Sequence, residues 1–245
     1  MKTFVVCAFL LFACSKAEAP DRWADVEKLA APTVASADGV LLTKALDRVT
    51  GDDVPELALE DAIAWRKASG GLPWRGGRTM EDPRPLHTMR LGNALLERRG
   101  DDPEAVLTVL YLAQRLRAEA PALIDVTIGF TLAGKATTKP WRAEYAPFAP
   151  THAEVLRAIP ADAVHFNKDM PKDDQTIGKT IRAGYTAMLV GAPRERAAYV
   201  KHIEAETAKA QKSDVMKLVI APKVSKLADE MFEAIEVYKK WSHSM

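Results

Sequence analysis

Five histidines, His87, His152, His165, His202 and His243, are the side chains best suited to proton transfer or metal ligation near neutral pH. None belongs to a His-Glu-x-x-His pair, whose two rings share one helix face around zinc, and none stands beside a serine-nucleophile motif. Asp162 and His165 are spaced to share a helix face, but a metal site needs more ligands than one such pair. Asp162 is therefore expected to cap a short helix and His165 to lie on the surface. No metal and no cofactor is expected. Asp125 lies inside the apolar run from Leu123 to Leu132, where a buried carboxylate can hold its proton and serve as an acid. Pro121 opens that helix, so the positive helix end, or an arginine such as Arg90 or Arg115, would equally stabilise the charged form. Asn93 has the same status, a polar group on a buried-looking helix that is expected to hydrogen-bond across it. In Trp74-Arg75-Gly76-Gly77-Arg78 the glycines would let backbone amides approach an anion and the arginines would add charge. The run matches neither the phosphate loop nor the dinucleotide fingerprint, and a plain helix connection explains it as well.

The thiols are confined to one place. Cys7 and Cys14 are the only cysteines, so nothing after Cys14 can form a disulfide framework, a cysteine-ligated zinc site or a cysteine nucleophile. Met1-Lys2-Thr3 is followed by ten apolar residues, Phe4 to Ala13. That run is too short for a span of roughly 20 residues, and it has the proportions of a signal-peptide apolar region. It ends Leu11-Phe12-Ala13-Cys14, which resembles the bacterial lipobox: a branched apolar residue three before the cysteine and a small residue directly before it. Phe12 is bulkier than is usual there, and thirteen residues make a short signal. The resemblance implies that Cys14 carries a diacylglyceryl group and becomes the first mature residue, after cleavage of residues 1–13. Ser15 after the cysteine is compatible with sorting to the outer membrane, facing the periplasm. Cleavage after Ala17-Glu18-Ala19 is the alternative, although it would place Pro20 just past the cut.

The rest of the chain must supply whatever positions these groups. Residues 14–20 read as a lipidated tether and 21–245 as one all-helical domain. Of the 34 lysines and arginines only Lys2 precedes Cys14, so the basic residues of the remaining chain are balanced by its 33 aspartates and glutamates. No strong field that would recruit nucleic acid is expected. Helical stripes recur throughout: Trp23, Val26 and Leu29; Val40, Leu41, Leu42, Ala45, Leu46 and Val49, closed by Gly51; Leu59, Ile63 and Trp65, ended by Gly70-Gly71. Asp52-Asp53 with Pro55, and Asp102-Pro103-Glu104, read as helix starts. The helix after Pro103 carries apolar residues in nearly all directions, as a surrounded central helix does, and Met89 to Ala136 is expected to be the structural centre. Thr151-His152-Ala153-Glu154 is a capping box. Val224, Leu227, Met231, Ala234, Tyr238 and Trp241 form the cleanest stripe, expected inside a bundle. Val215 to Ile220 is the single strand candidate, set in a helical frame.

The spacing of Leu91-Gly92, Leu95, Gly100, Ala105 and Val109 is similar to one degenerate tetratricopeptide hairpin, with no second copy at the ~34-residue period. Ala62 to Pro73 together with the Leu91 to Ala133 pattern also resembles uncharacterised all-helical bacterial envelope proteins, a likeness that implies a fold and no activity.

The fold expected is all-α, a single bundle of about seven to nine helices with two long irregular connections, 70–85 and 140–174. Those connections hold aromatics and arginines, the usual anchors of protein contacts: Trp74, Arg75, Arg78, Trp141 and Phe148. The leading functional expectation is an envelope-anchored lipoprotein held to the membrane by its lipid, which binds or scaffolds an envelope protein without catalysis. The alternatives are a glycan or peptide hydrolase using Asp/Glu chemistry and a carrier of a small apolar ligand.

Overall fold

A computed structural model describes residues 22–34, 37–73, 83–169 and 175–244, and every regular element in them is helical. Cys7, Cys14 and the lipobox lie outside the described residues, as do Trp74, Arg75 and Arg78. In chain order the helices are α1 (Trp23–Ala30), α2 (Val40–Asp47), α3 (Glu56–Lys67), α4 (Arg84–Arg99), α5 (Pro103–Glu119) and α6 (Leu123–Ala136). A 3-10 turn, Ala143–Phe148, precedes α7 (His152–Asp169), α8 (Gln175–Leu189), α9 (Arg196–Ala210), α10 (Met216–Val219) and α11 (Val224–Ser242). Among the described residues there is no strand, and the strand candidate at 215–220 contains the single turn of α10. Thr50 and Asp53 make one isolated bridge. The all-α bundle is as the sequence leads one to expect.

Local chemistry accounts for several helix starts. Asp102 accepts the Glu104 amide at 2.9 Å and opens α5. Thr151 and Glu154 satisfy each other at the start of α7, Thr151 N–H to the Glu154 carboxylate at 2.8 Å and Glu154 N–H to the Thr151 hydroxyl at 3.3 Å. Glu195 takes the Ala197 and Ala198 amides ahead of α9. Asp52 and Asp53 do not cap α3, which starts on Pro55 without a side-chain cap; Asp52 turns to Arg90 at 2.6 Å instead.

Segment 140–174 departs from expectation. Most of it is the 3-10 turn and the 18 residues of α7, with Pro160 inside the helix. A proline there removes one backbone hydrogen bond and normally ends a helix. Here Val155, Ala158, Ile159, Ala161 and Ala163 are buried on both sides of it, so packing holds the helix through the lost bond.

Helix α5 is central, as its all-round apolar pattern suggests. It packs against α3, α4, α6, α7 and the 3-10 turn, and it buries residues on every side, from Ala105 and Val106 to Leu116 and Ala118. One hydrophobic cluster runs through the described body from Trp23 to Trp241.

Two close approaches need glycine. At the end of α3, Ser69 adopts the left-handed conformation (φ 53°), and the Ser69 and Gly70 amides return to the carbonyls of Arg66 and Trp65. The glycine pair is thereby freed for a different task. A Cβ on Gly71 would lie 2.3 Å from the Ala37 carbonyl oxygen, where the chain crosses the entry to α2. At the α5–α6 crossing, a Cβ on Gly129 would lie 2.7 Å from the Ala113 carbonyl oxygen, a backbone atom that cannot swing away.

Gly134, one and a half turns further along α6, would meet nothing within 4 Å. Gly129→Ala should therefore destabilise the fold by about 1–3 kcal/mol through overpacking. Gly134→Ala should leave it unchanged or gain up to about 1 kcal/mol from helix propensity. Urea denaturation of both variants checks this, and equal effects would contradict the crossing geometry.

Candidate functional site

The buried charges come first, because they are where unusual chemistry would reside. Arg117, on α5, is fully buried. Its guanidinium donates to the Glu154 carboxylate at 3.1 Å, to the Phe148 carbonyl at 2.9 Å and to the Gly129 carbonyl at 3.4 Å, and it lies 5.5 Å from the Phe130 ring centre. Burial lowers its affinity for the proton, and the Glu154 charge works against that loss. Arg157, one turn along α7 from Glu154, donates to the Ala31 carbonyl and to the carbonyls of Arg117 and Ala120, all at 3.1 Å. Ala31 and Ala120 close α1 and α5, so one cation meets the negative ends of two helices. Burial brings the Arg157 pKa down to about 10, so it stays charged at neutral pH. Both arginines are spent on holding helices together.

The carboxylates show the same pattern. Asp162 lies within α7 rather than capping a short helix of its own, and its Oδ1 accepts the Leu123 amide of α6 at 2.9 Å. It thus caps the start of a neighbouring helix. Desolvation raises its pKa above the ordinary value, against the pull of the Leu123 hydrogen bond and of His165. His165 is half-buried. Asp125 is buried in the first turn of the same α6, where the helix dipole favours a carboxylate. Arg115, one of its candidate partners, pairs with Glu119 at 2.7 Å and reaches the Gly70 carbonyl. Asn93, half-buried on α4, accepts from Lys135 of α6 at 2.8 Å, the cross-helix bond expected of it. Among the described residues no group of three or more potential metal ligands comes together.

The two described aromatics of the three in the expected contact surface, Trp141 and Phe148, turn inward. Trp141 is half-buried and packs edge-on against Tyr145, Tyr238 and Trp241, with ring centres 4.8–6.0 Å apart. The cluster is fastened by Trp241 Nε1 to the Lys139 carbonyl and by the Tyr238 hydroxyl to the Tyr145 carbonyl, both at 2.7 Å. Phe148 sets its edge against Tyr111 at 6.2 Å. Both rings cover the core.

An apolar concavity lies elsewhere. A groove of about 260 Å³ runs between α6 and α11. Thr127, Thr131 and Gly134 form one wall, and Leu227, Ala234 and Val237 form the other. Buried Phe130 and Met231 make its floor. Its charged lining residues are both acidic, Glu230 and Glu233. The sequence shows the α11 stripe but not this wall pairing, because the two helices are about a hundred residues apart and the α6 residues are small and uncharged.

No family model matches the chain, and no curated protein or solved structure matches it either.

The Asp162 cap yields a test with a sign. Its folded pKa is raised, so the fold holds the proton more tightly than the unfolded chain does, and stability declines as pH climbs from about 4 through the folded value. Asp162→Asn keeps the oxygen acceptor without the charge, so it should equal or exceed the wild type at pH 7, with the gap closing on acidification. Asp162→Ala loses the acceptor and should cost about 1 kcal/mol. Denaturation curves between pH 4 and 7 check both, and a gap that widens toward acid would contradict the assignment.

Proposed function

We propose that this protein is a lipid-anchored envelope protein that binds or scaffolds a partner, and that the contact surface is the groove between α6 and α11. The groove is the observation that carries this reading. Helix α6 is among the most apolar segments of the chain, and its outer face carries Ile124, Thr127, Thr131 and Gly134 with one charge, Lys135, at its C-terminal end. Ile124 is about half exposed and Val237 more than a third. Apolar area left open beside a closed core is a usual mark of a contact surface.

Two observations favour binding over the alternatives. Glu154 and Asp162 each accept a backbone amide at a helix start, which gives both carboxylates a structural role. The groove volume falls below the roughly 300–1,000 Å³ of small-molecule pockets, which argues against a small apolar ligand as the occupant of this groove. The lipid anchor rests on the likeness of Leu11-Phe12-Ala13-Cys14 to a lipobox. No described helix is long and apolar enough to cross a membrane.

The test places a photocrosslinking amino acid at Thr131 or Ala234 in the full chain, in cells, with Lys201 on the exposed face of α9 as the control position. The expected result is a discrete crosslinked species from the groove positions and none from Lys201. The Cys14→Ser chain should lose the acyl mass and retain the precursor length. Equal crosslinking from all three positions would contradict the groove as the contact surface. A mature N-terminus at Ala17 or later without acyl mass would contradict the anchor.

A further inference from the structure

We infer that the occupant of the α6–α11 groove is an amphipathic helix with lysine or arginine flanking its apolar anchors; this rests on the groove being the contact surface. Three features of the groove specify the occupant. The first is the nature of its walls. Both are α-helices whose backbone amides and carbonyls are bonded within the helix, so the groove has no sheet edge on which an extended peptide could be paired. An extended segment laid there would bury its own amides without partners, whereas a helix brings its backbone bonds with it.

The second feature is size. From Leu227 to Val237 the α11 wall is about 15 Å long, and from Thr127 to Gly134 the α6 wall is about 10 Å, at 1.5 Å per residue. That span takes two anchor side chains one or two helical turns apart. The small side chains of Thr127, Thr131 and Gly134 leave the depth for them, and Gly134 has open space where a Cβ would be.

The third feature is charge. No basic residue lines the groove, and Glu230 and Glu233 both do. Glu233 is engaged by Arg196 at 3.1 Å. Glu230 makes an exposed pair with Lys226 at 3.4 Å, which a better-placed cation displaces at little cost. An acidic helix, or a ligand with a carboxylate head, would meet repulsion from Glu230.

The experiment uses the full-length chain held in nanodiscs of zwitterionic lipid, with empty nanodiscs as the baseline. The probes are two dye-labelled 18-residue peptides with leucines at i, i+3, i+4 and i+7 spacing, one with lysine at the remaining positions and one with glutamate. The lysine peptide should bind at least about tenfold more tightly than the glutamate peptide, a difference of about 1.4 kcal/mol. Glu230→Lys should narrow that ratio. Ala234→Lys should weaken the lysine peptide about tenfold or more. Leu218→Ser, which removes an exposed apolar side chain outside the groove, should change nothing. If Ala234→Lys melts early, Thr131→Lys on the exposed side of the opposite wall replaces it. Equal binding of the two peptides, or lysine-peptide binding indifferent to the groove substitutions, would overturn the inference. Groove-specific crosslinks in cells combined with equal peptide binding would overturn the helix-and-charge assignment while leaving the groove as the contact surface.

Discussion

The fold turns on a guanidinium sealed inside it. Arg117 has five N–H donors and no exposure to solvent, and each acceptor it meets belongs to a different element: Glu154 on α7, Gly129 on α6 and Phe148 at the end of the 3-10 turn. A buried ion pair adds little net stability over apolar side chains of the same volume, because desolvation offsets most of the attraction. Its effect is on arrangement. Any slip of α6 or α7 along α5 would strand a charge in the core, so the pair fixes the register in which these helices meet. Gly129 lets α6 come close enough for its carbonyl to face Arg117, and Arg157 ties the ends of α1 and α5 to the same stretch of α7.

That centre separates two kinds of surface. On one side the 3-10 turn and the aromatic group of Trp141, Tyr145, Tyr238 and Trp241 close the core, with polar ring atoms bonded to backbone carbonyls. On the other, α6 buries one face against α5 and leaves its opposite face open beside α11. Buried charge sets the positions of the helices, and the apolar groove between α6 and α11 stays open.

Much of this was legible in the sequence, and the parts that were not share a physical cause. Helical stripes, the capping box at Thr151–Glu154 and the central character of α5 are local or periodic, so the chain states them directly. Arg117 to Glu154 spans 37 residues and Arg157 to Ala31 spans 126, and a basic residue bound for the core looks like any surface arginine when its partner is that far away. The irregular connection expected at 140–174 failed for the opposite reason: α7 runs through Pro160, a strong local breaker that tertiary packing overrides. Trp141 and Phe148 stood out as large aromatics in a proline-marked segment, but only the folded chain shows that α11 and Tyr111 receive them. The groove was invisible because Thr127, Thr131 and Gly134 are ordinary helix residues until α11 is laid beside them.

The claim that the Arg117–Glu154 pair holds the arrangement is tested most directly by a double-mutant cycle in urea denaturation, with Arg117→Met, Glu154→Gln and the two combined. Each single change should cost about 3–5 kcal/mol, because it leaves a buried charge without its partner. The double variant should lose clearly less than the sum, with a coupling above about 1 kcal/mol. Single losses that add to within about 0.5 kcal/mol would contradict the account, since the two residues would then stabilise the fold independently.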